Sequence, residues 1–264
     1  MKLLALQMML PGFVLVLART AGLVLAVPMF SSSQIPRIVK VWMSVTLALM
    51  TFPAVMLQLP PSLSMGRAAG GIVGEFIIGE VIGLGAGLVF FGAQLAGKII
   101  SYQTGMALGA VFNPVFDAES TVLDQIWFFT ALMFFLALRG HLAVVQVVLH
   151  SFVKLPPLSV WSTGITADFC ASVLQSVFEM GVRLAGPAVL ALLLTSLSMG
   201  ILTRTMPQLN VLSVGFSVKI ALGVFVMAVS ISASDSIMAG ALADGLDDVG
   251  LWFDHVADTV TYGG

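Results

Sequence analysis

The chain has 264 residues, 59% apolar and 9% charged, with a net charge of −2 and a mean hydropathy of +1.07. Soluble domains are about 45–50% apolar and about 25% charged, so this composition excludes a disordered chain, a secreted disulfide scaffold and almost any free cytosolic enzyme. The single Cys170 and the scattered basic residues exclude an internal bridge and the electrostatic footprint of a nucleic-acid binder.

In chain order, apolar runs bounded by turn chemistry fall near 3–27, 38–59, 70–97, 122–138, 141–153, 184–202 and 208–234. They are far longer than strands and none alternates with period two, so the fold class is all-α, an integral membrane protein of about six to seven apolar helical segments. Pro28 to Pro36, Pro60-Pro61, Asn113-Pro114, Pro156-Pro157 and Pro207 stand between the runs as breakers. The first run begins after Lys2, but Pro11-Gly12 and Arg19 interrupt it. It outruns the roughly 7–15 residues of a signal core and reads as retained.

The runs 122–138 and 141–153 are divided by Arg139-Gly140-His141, which makes them either a tight hairpin of two short helices or one long broken helix. Counting seven spans, the basic residues outside them divide as Lys2, Arg67, Arg139 and Arg204 against Arg37, Lys40, Lys98 and Lys154. The positive-inside rule therefore gives no orientation. Residues 1–234 read as one helical domain. The segment 235–264 is an acidic tail carrying Asp235, Asp244, Asp247, Asp248, Asp254 and Asp258 without a Lys or Arg. It is a solvated terminal helix or flexible tail, or else a docking strip for a basic partner.

Arg19, Glu75, Glu80, Glu179, Arg183 and Lys219 lie inside apolar stretches, where facing lipid costs about 2.5–3.5 kcal/mol each on insertion scales. They must face protein or water, as they would in a subunit packed inside a larger assembly. Glu179 and Arg183 are four apart with the acid first, the favourable order for an intrahelical pair. Glu75 and Glu80 are five apart, about 140° around a helix, and cannot share a proton or a metal. Gly79, Gly83 and Gly87 recur every fourth residue, and Ala93, Gly97, Ser101, Gly105 and Gly109 resume the spacing after Phe91. Such a stripe lets another backbone approach closely, from within the chain or from another subunit.

No catalytic set, phosphate loop or metal motif stands on suitable flanks, and His141 and His150 are half a turn out of phase. An enzyme is disfavoured, and no cofactor or metal is expected. The segment Gly105 to Ser120, GMALGAVFNPVFDAES, sets bulky Val111, Phe112, Val115 and Phe116 around Asn113-Pro114. It is an ordinary extramembrane loop, or irregular backbone that is buried or lines a cavity.

The string RTMPQLNVLSVGFSVKI at 204–220 closely resembles the R-x-x-PQ-[IL]-N-[VA]-F-x-[IV]-G-F-P-x-K segment of the FliR family, with Leu212 and Ser217 where the family favours Phe and Pro. Further blocks resemble it in the same order: LARTAGLVLAVPMF at 17–30, QIPRIVK at 34–40, GEFIIGEVIGLGAGLVFFGAQLAGKIISYQTG at 74–105, GHLAVVQVVLHSF at 140–152 and RLAGPAVLALLL at 183–194. This family, with its injectisome relatives SpaR and YscT, belongs to the export gate of bacterial type III secretion.

The resemblance implies a non-enzymatic subunit that joins FliP and FliQ in a helical assembly of the bacterial inner membrane, in the flagellar basal body, with FlhB and FlhA nearby. Unfolded flagellar proteins would pass through its centre. It further implies that the loop 105–120, through Gly105, Gly109, Val111, Phe112, Asn113, Pro114 and Phe116, is similar in place to the channel plug. Gly79, Gly83, Gly87, Gly97, Glu179, Arg183, Arg204, Pro207, Gln208 and Asn210 are then the expected assembly and packing residues. The rival is a stand-alone secondary transporter, which would show two halves with corresponding broken segments; none is visible.

Overall fold

A computed structural model describes residues 2–32, 35–56, 65–107, 121–158, 167–206 and 211–262, and these are helical with no strand among them. In chain order the helices are α1 (Lys2–Ala26), α2 (Pro28–Ser31), α3 (Arg37–Val55), α4 (Met65–Thr104), α5 (Val122–Ala137), α6 (Gly140–Lys154), α7 (Ala167–Thr205), α8 (Val211–Ile231) and α9 (Asp235–Tyr262). Five of them are long and apolar enough to cross a membrane, and a sixth span results if α5 and α6 form one broken crossing.

Two helices outrun the apolar runs expected for them, and one of them is α4, which spans Met65–Thr104 where 70–97 is expected. α7 begins at Ala167, not near 184, because Glu179 and Arg183 interrupt the apolar run without interrupting the helix. Residues 235–262 form a terminal helix, one of the forms expected of the tail, but a partly buried one, with Met238, Val249, Trp252, Phe253 and Val256 buried along one face. Counting acids in that segment hides this apolar periodicity. The break at 139 is a change of backbone: Arg139 takes a left-handed φ of 57° and ends one helix before the next begins.

The chain forms two compact units. The first comprises Met1–Leu88, Arg139–Leu174 and Leu242–Gly264. Here α1 runs parallel to the first half of α4. A Cβ at Gly71 would meet Leu15, one at Gly79 the Arg19 carbonyl, and one at Gly83 the side chain of Ala26. α3 runs antiparallel to α1, since Phe13 packs edge-on against Phe52 at 5.7 Å and the Thr20 hydroxyl donates to the Ser44 carbonyl at 3.1 Å. α6 is antiparallel to α1 too: Arg19 reaches Ser151 and Leu155, while Leu23 faces Val144 and Val145. The starts of α3 and α6 therefore lie at one end. Arg37 and Arg139 share that end, so the alternation assumed in a seven-span count does not hold for this pair.

α9 completes the first unit through a close backbone approach. A Cβ at Gly85 would fall on the Gly245 carbonyl, and one at Gly245 on the Gly85 carbonyl.

The second unit comprises Val89–Leu138 and Gln175–Ala241. Phe90 of α4 packs against Phe128 and Phe135 of α5, with ring centres 5.6 and 5.2 Å apart. Gly92 receives Met180 of α7, Gly181 receives Leu95, and Gly223 of α8 receives Thr104. α4 is largely buried through this sequence of small and bulky side chains, with Val73 and Tyr102 left exposed, and 72% of Ala69–Thr104 is buried, against 22% of Ala167–Thr205 and 17% of Val214–Ile231. A helix that is apolar all round needs such cover; α7 and α8 do not find it among the described residues.

Candidate functional site

Arg19 is the centre of the first unit's polar interior. It stands on α1 with no exposed surface, and its Nε donates to Glu75 Oε2 of α4 at 2.7 Å. Its Nη1 donates to the Ser151 hydroxyl at 2.9 Å and its Nη2 to the Leu155 carbonyl at 3.0 Å. The guanidinium carbon lies 4.0 Å from the centre of the Phe152 ring, a cation–π contact. Glu75 is satisfied in turn: its Oε1 accepts from the backbone N–H of Leu158 at 3.1 Å, a residue held at a left-handed φ of 74°. A buried ion pair is tolerated only when its remaining donors and acceptors are met, and here Ser151, Leu155 and Leu158 of one chain segment meet them. The sequence shows both charges; it does not show that they belong to each other.

In the second unit a smaller cluster links the end of α4 to the start of α5. Thr121 caps α5, accepting from Asp124 N–H, while the Asp124 carboxylate accepts from Thr121 N–H at 2.9 Å, a complete capping box. Ser101, from the four-residue stripe, shares a short hydrogen bond with Thr121 and donates to Asp124 Oδ1 at 3.3 Å. Gly97, one turn earlier, admits the α5 backbone at Asp124.

Of the expected packing residues, Gly79 and Gly83 face α1, Gly97 faces α5, and Gly87 is buried. The described stripe thus packs against neighbours in this chain. Glu179 and Arg183 pair at 2.5 Å while both remain largely exposed, and Arg204 is exposed. They stand on α7 beside uncovered Phe178, Val182, Leu190, Leu194 and Leu197. Gly105 has a φ of 85°, a conformation suited to glycine. Gly109, Val111, Phe112, Asn113, Pro114 and Phe116, and likewise Pro207, Gln208 and Asn210, lie outside the described residues. Gly22, Gly85 and Gly245 are close-approach residues that spacing alone does not single out.

Among the described residues no three His, Cys, Asp or Glu side chains gather as metal ligands would. On α9, which is not one of the apolar spans, burial pushes the Asp248 carboxyl above the ordinary aspartate range. A hydrogen bond from Ser172 opposes the shift, and the charges of Asp244 and Asp247 add to it. What these arrangements can do is hold helices together at fixed register; none presents a nucleophile beside a base.

The sequence model of bacterial export proteins, family 1, matches residues 10–244. The flagellar biosynthetic protein FliR of Bacillus subtilis (strain 168) is 28% identical over 226 residues, covering 84% of this chain and 86% of that protein. FliR of Escherichia coli (strain K12) is 29% identical over 216 residues, covering 80% and 81%. The secretion system apparatus protein SsaT of Salmonella typhimurium is 26% identical over 167 residues, covering 60% and 62%.

Proposed function

The chain belongs to family 1 of the bacterial export proteins, and from that premise we propose that it is a non-enzymatic core subunit of the flagellar type III export gate, forming with FliP and FliQ the inner-membrane channel for unfolded flagellar proteins. At the coarser level it is a multi-pass helical component of a flagellar or type III export apparatus, in keeping with its relatives FliR and SsaT. The observation that carries the reading is the family match over nearly the whole chain, on a fold with five apolar spans.

The physical features support a subunit and not a free-standing bundle. α7 and α8 expose Phe178, Leu194, Ile201, Phe225 and Val229, and the same α7 carries the exposed Glu179–Arg183 pair. Lipid would cover the apolar side chains but not the ions; neighbouring subunits cover both. In this reading Glu179, Arg183, Arg204, Pro207, Gln208 and Asn210 lie at subunit contacts, FlhB and FlhA adjoin the complex, and the segment 105–120 closes the channel at rest.

Deleting the gene should abolish flagella and the export of hook and filament proteins. Affinity purification of the tagged chain in mild detergent, followed by native mass spectrometry, should recover FliP and FliQ with it. A deletion strain that still swims, or a chain recovered alone as a monodisperse monomer, would overturn the proposal.

A further inference from the structure

The first unit carries an open groove of about 460 Å³ between α1, α2, α3 and α6. Its walls include Leu23, Phe30, Trp42, Met43 and Leu142, with His141 at the start of α6. Two other lining side chains carry polar atoms: Thr46, which spends its hydroxyl on the Trp42 carbonyl at 2.8 Å, and Trp42, whose indole N–H is a donor. Below its mouth the groove therefore offers mainly apolar contact and few hydrogen-bonding groups.

The mouth is different. α3 and α6 both run antiparallel to α1, so the starts of these two helices lie together, and that end carries Arg37, Lys40, Arg139 and His141. No acidic residue occurs anywhere in α1, α2, α3 or α6. Among the described residues no carboxylate lies within ion-pair distance of Arg37, Lys40 or Arg139; Lys40 donates instead to the Ser31 carbonyl at 2.7 Å. Neither helix has a side-chain cap at its start, so first-turn N–H groups add positive potential at the same place.

We propose that this groove holds an acyl chain of an anionic glycerophospholipid, whose phosphate lies against Arg37, Lys40 and Arg139. The cations stand at the ends of two apolar spans, Met9–Ala26 and Arg37–Val55. Trp42 is 64% exposed one turn inside them, the arrangement of basic and aromatic side chains found at a membrane boundary. An acidic protein segment would match the mouth but not the groove, where most of its backbone N–H and C=O groups would find no partners. A lipid tail brings no such groups.

The test uses the full chain purified in its membrane complex and native mass spectrometry with added dioleoylphosphatidylglycerol or dioleoylphosphatidylcholine. The phosphatidylglycerol should be retained selectively. Arg37→Gln with Arg139→Asn removes two exposed cations, with Asn chosen because it accepts the left-handed φ at 139. At about a fivefold contribution per cation, the pair of changes should weaken retention about 25-fold. Val145→Phe, which fills the groove and leaves the cations, should weaken it as well. Equal retention of the two lipids in the wild-type complex overturns the proposal without any variant. So does undiminished retention in either variant, the second of which would mean surface adhesion of headgroups alone. Displacement of the lipid by hexaglutamate at comparable concentration would hand the site to an acidic protein segment and overturn it too.

Discussion

The Arg19 guanidinium and the Glu75 carboxylate meet at 2.7 Å across 56 residues of sequence, both withdrawn from solvent. The pair ties α1 to α4, and its outer hydrogen bonds to Ser151, Leu155 and Leu158 tie both to the end of α6. Removing one partner leaves the other charge buried without compensation, which costs about 3–5 kcal/mol. Glu75→Ala and Arg19→Ala should each lower the thermal midpoint of the detergent-solubilised complex sharply. The double variant should be less destabilised than the sum of the two, because no orphan charge remains. Strict additivity would show that the pair is not coupled.

Gly85 and Gly245 make the second fixed point, because each would place a Cβ on the other's carbonyl. Gly245→Ala must push α9 off α4, and overpacking of this kind costs about 1–3 kcal/mol. Gly250, on the same helix, has nothing within 4 Å of its Cβ position. There Gly→Ala should be neutral or stabilising by about 0.5–1 kcal/mol, since it only lowers the entropy of the unfolded chain. Protease sensitivity of α9 in the two variants separates them, and equal behaviour would remove the contact from the account.

How far the sequence reaches can be judged from these residues. The Glu179–Arg183 pair is legible because helix periodicity alone brings i and i+4 together. The stripe of Gly79, Gly83 and Gly97 is legible as a close-packing face, though not as one used within the chain. Arg19 with Glu75, and Gly85 with Gly245, are not legible: their partners come from other helices, and no local rule selects which. The break at Arg139-Gly140 is visible as a break, but the left-handed backbone that makes it is not. The tail misleads, since six aspartates draw attention from the spacing of Val249, Trp252, Phe253 and Val256.

Asp248 gives this tail a pH dependence of definite sign. Its carboxyl is raised above the ordinary value of 3.8, first by burial and then by Asp244 and Asp247, against the hydrogen bond from Ser172. A raised acid favours the folded state while it is protonated. That contribution is present below the ordinary value and is lost as pH rises through the raised one. The thermal midpoint of the wild-type complex should therefore fall more than that of Asp248→Asn between about pH 4 and pH 7, the carboxylate range upward. His255 and Asp168 line the same pocket, so the comparison is of wild type with variant, and identical slopes would dismiss Asp248 as the source.

The last prediction concerns the proposed closure of the channel by residues 105–120, of which 108–120 lie outside the described residues. The segments flanking it are tied together: Ser101 bonds Thr121 and Asp124, and Gly97 admits the α5 backbone. α4 and α5 are thus held at this point by contacts that do not involve the intervening residues. Deleting Gly109 to Phe116 should then leave assembly with the partner subunits largely intact while removing Val111, Phe112 and Phe116, the apolar bulk able to seal a pore. The membrane should become leaky to small ions. Asp124→Ala acts on the tie and not on the seal, so it should weaken the capping of α5 by about 0.5–2 kcal/mol, the usual cost of a lost cap, without producing the leak. Conductance of the assembled deletion complex decides the matter: a value equal to wild type would make the loop scaffolding, and a leak confined to the deletion would make it the seal.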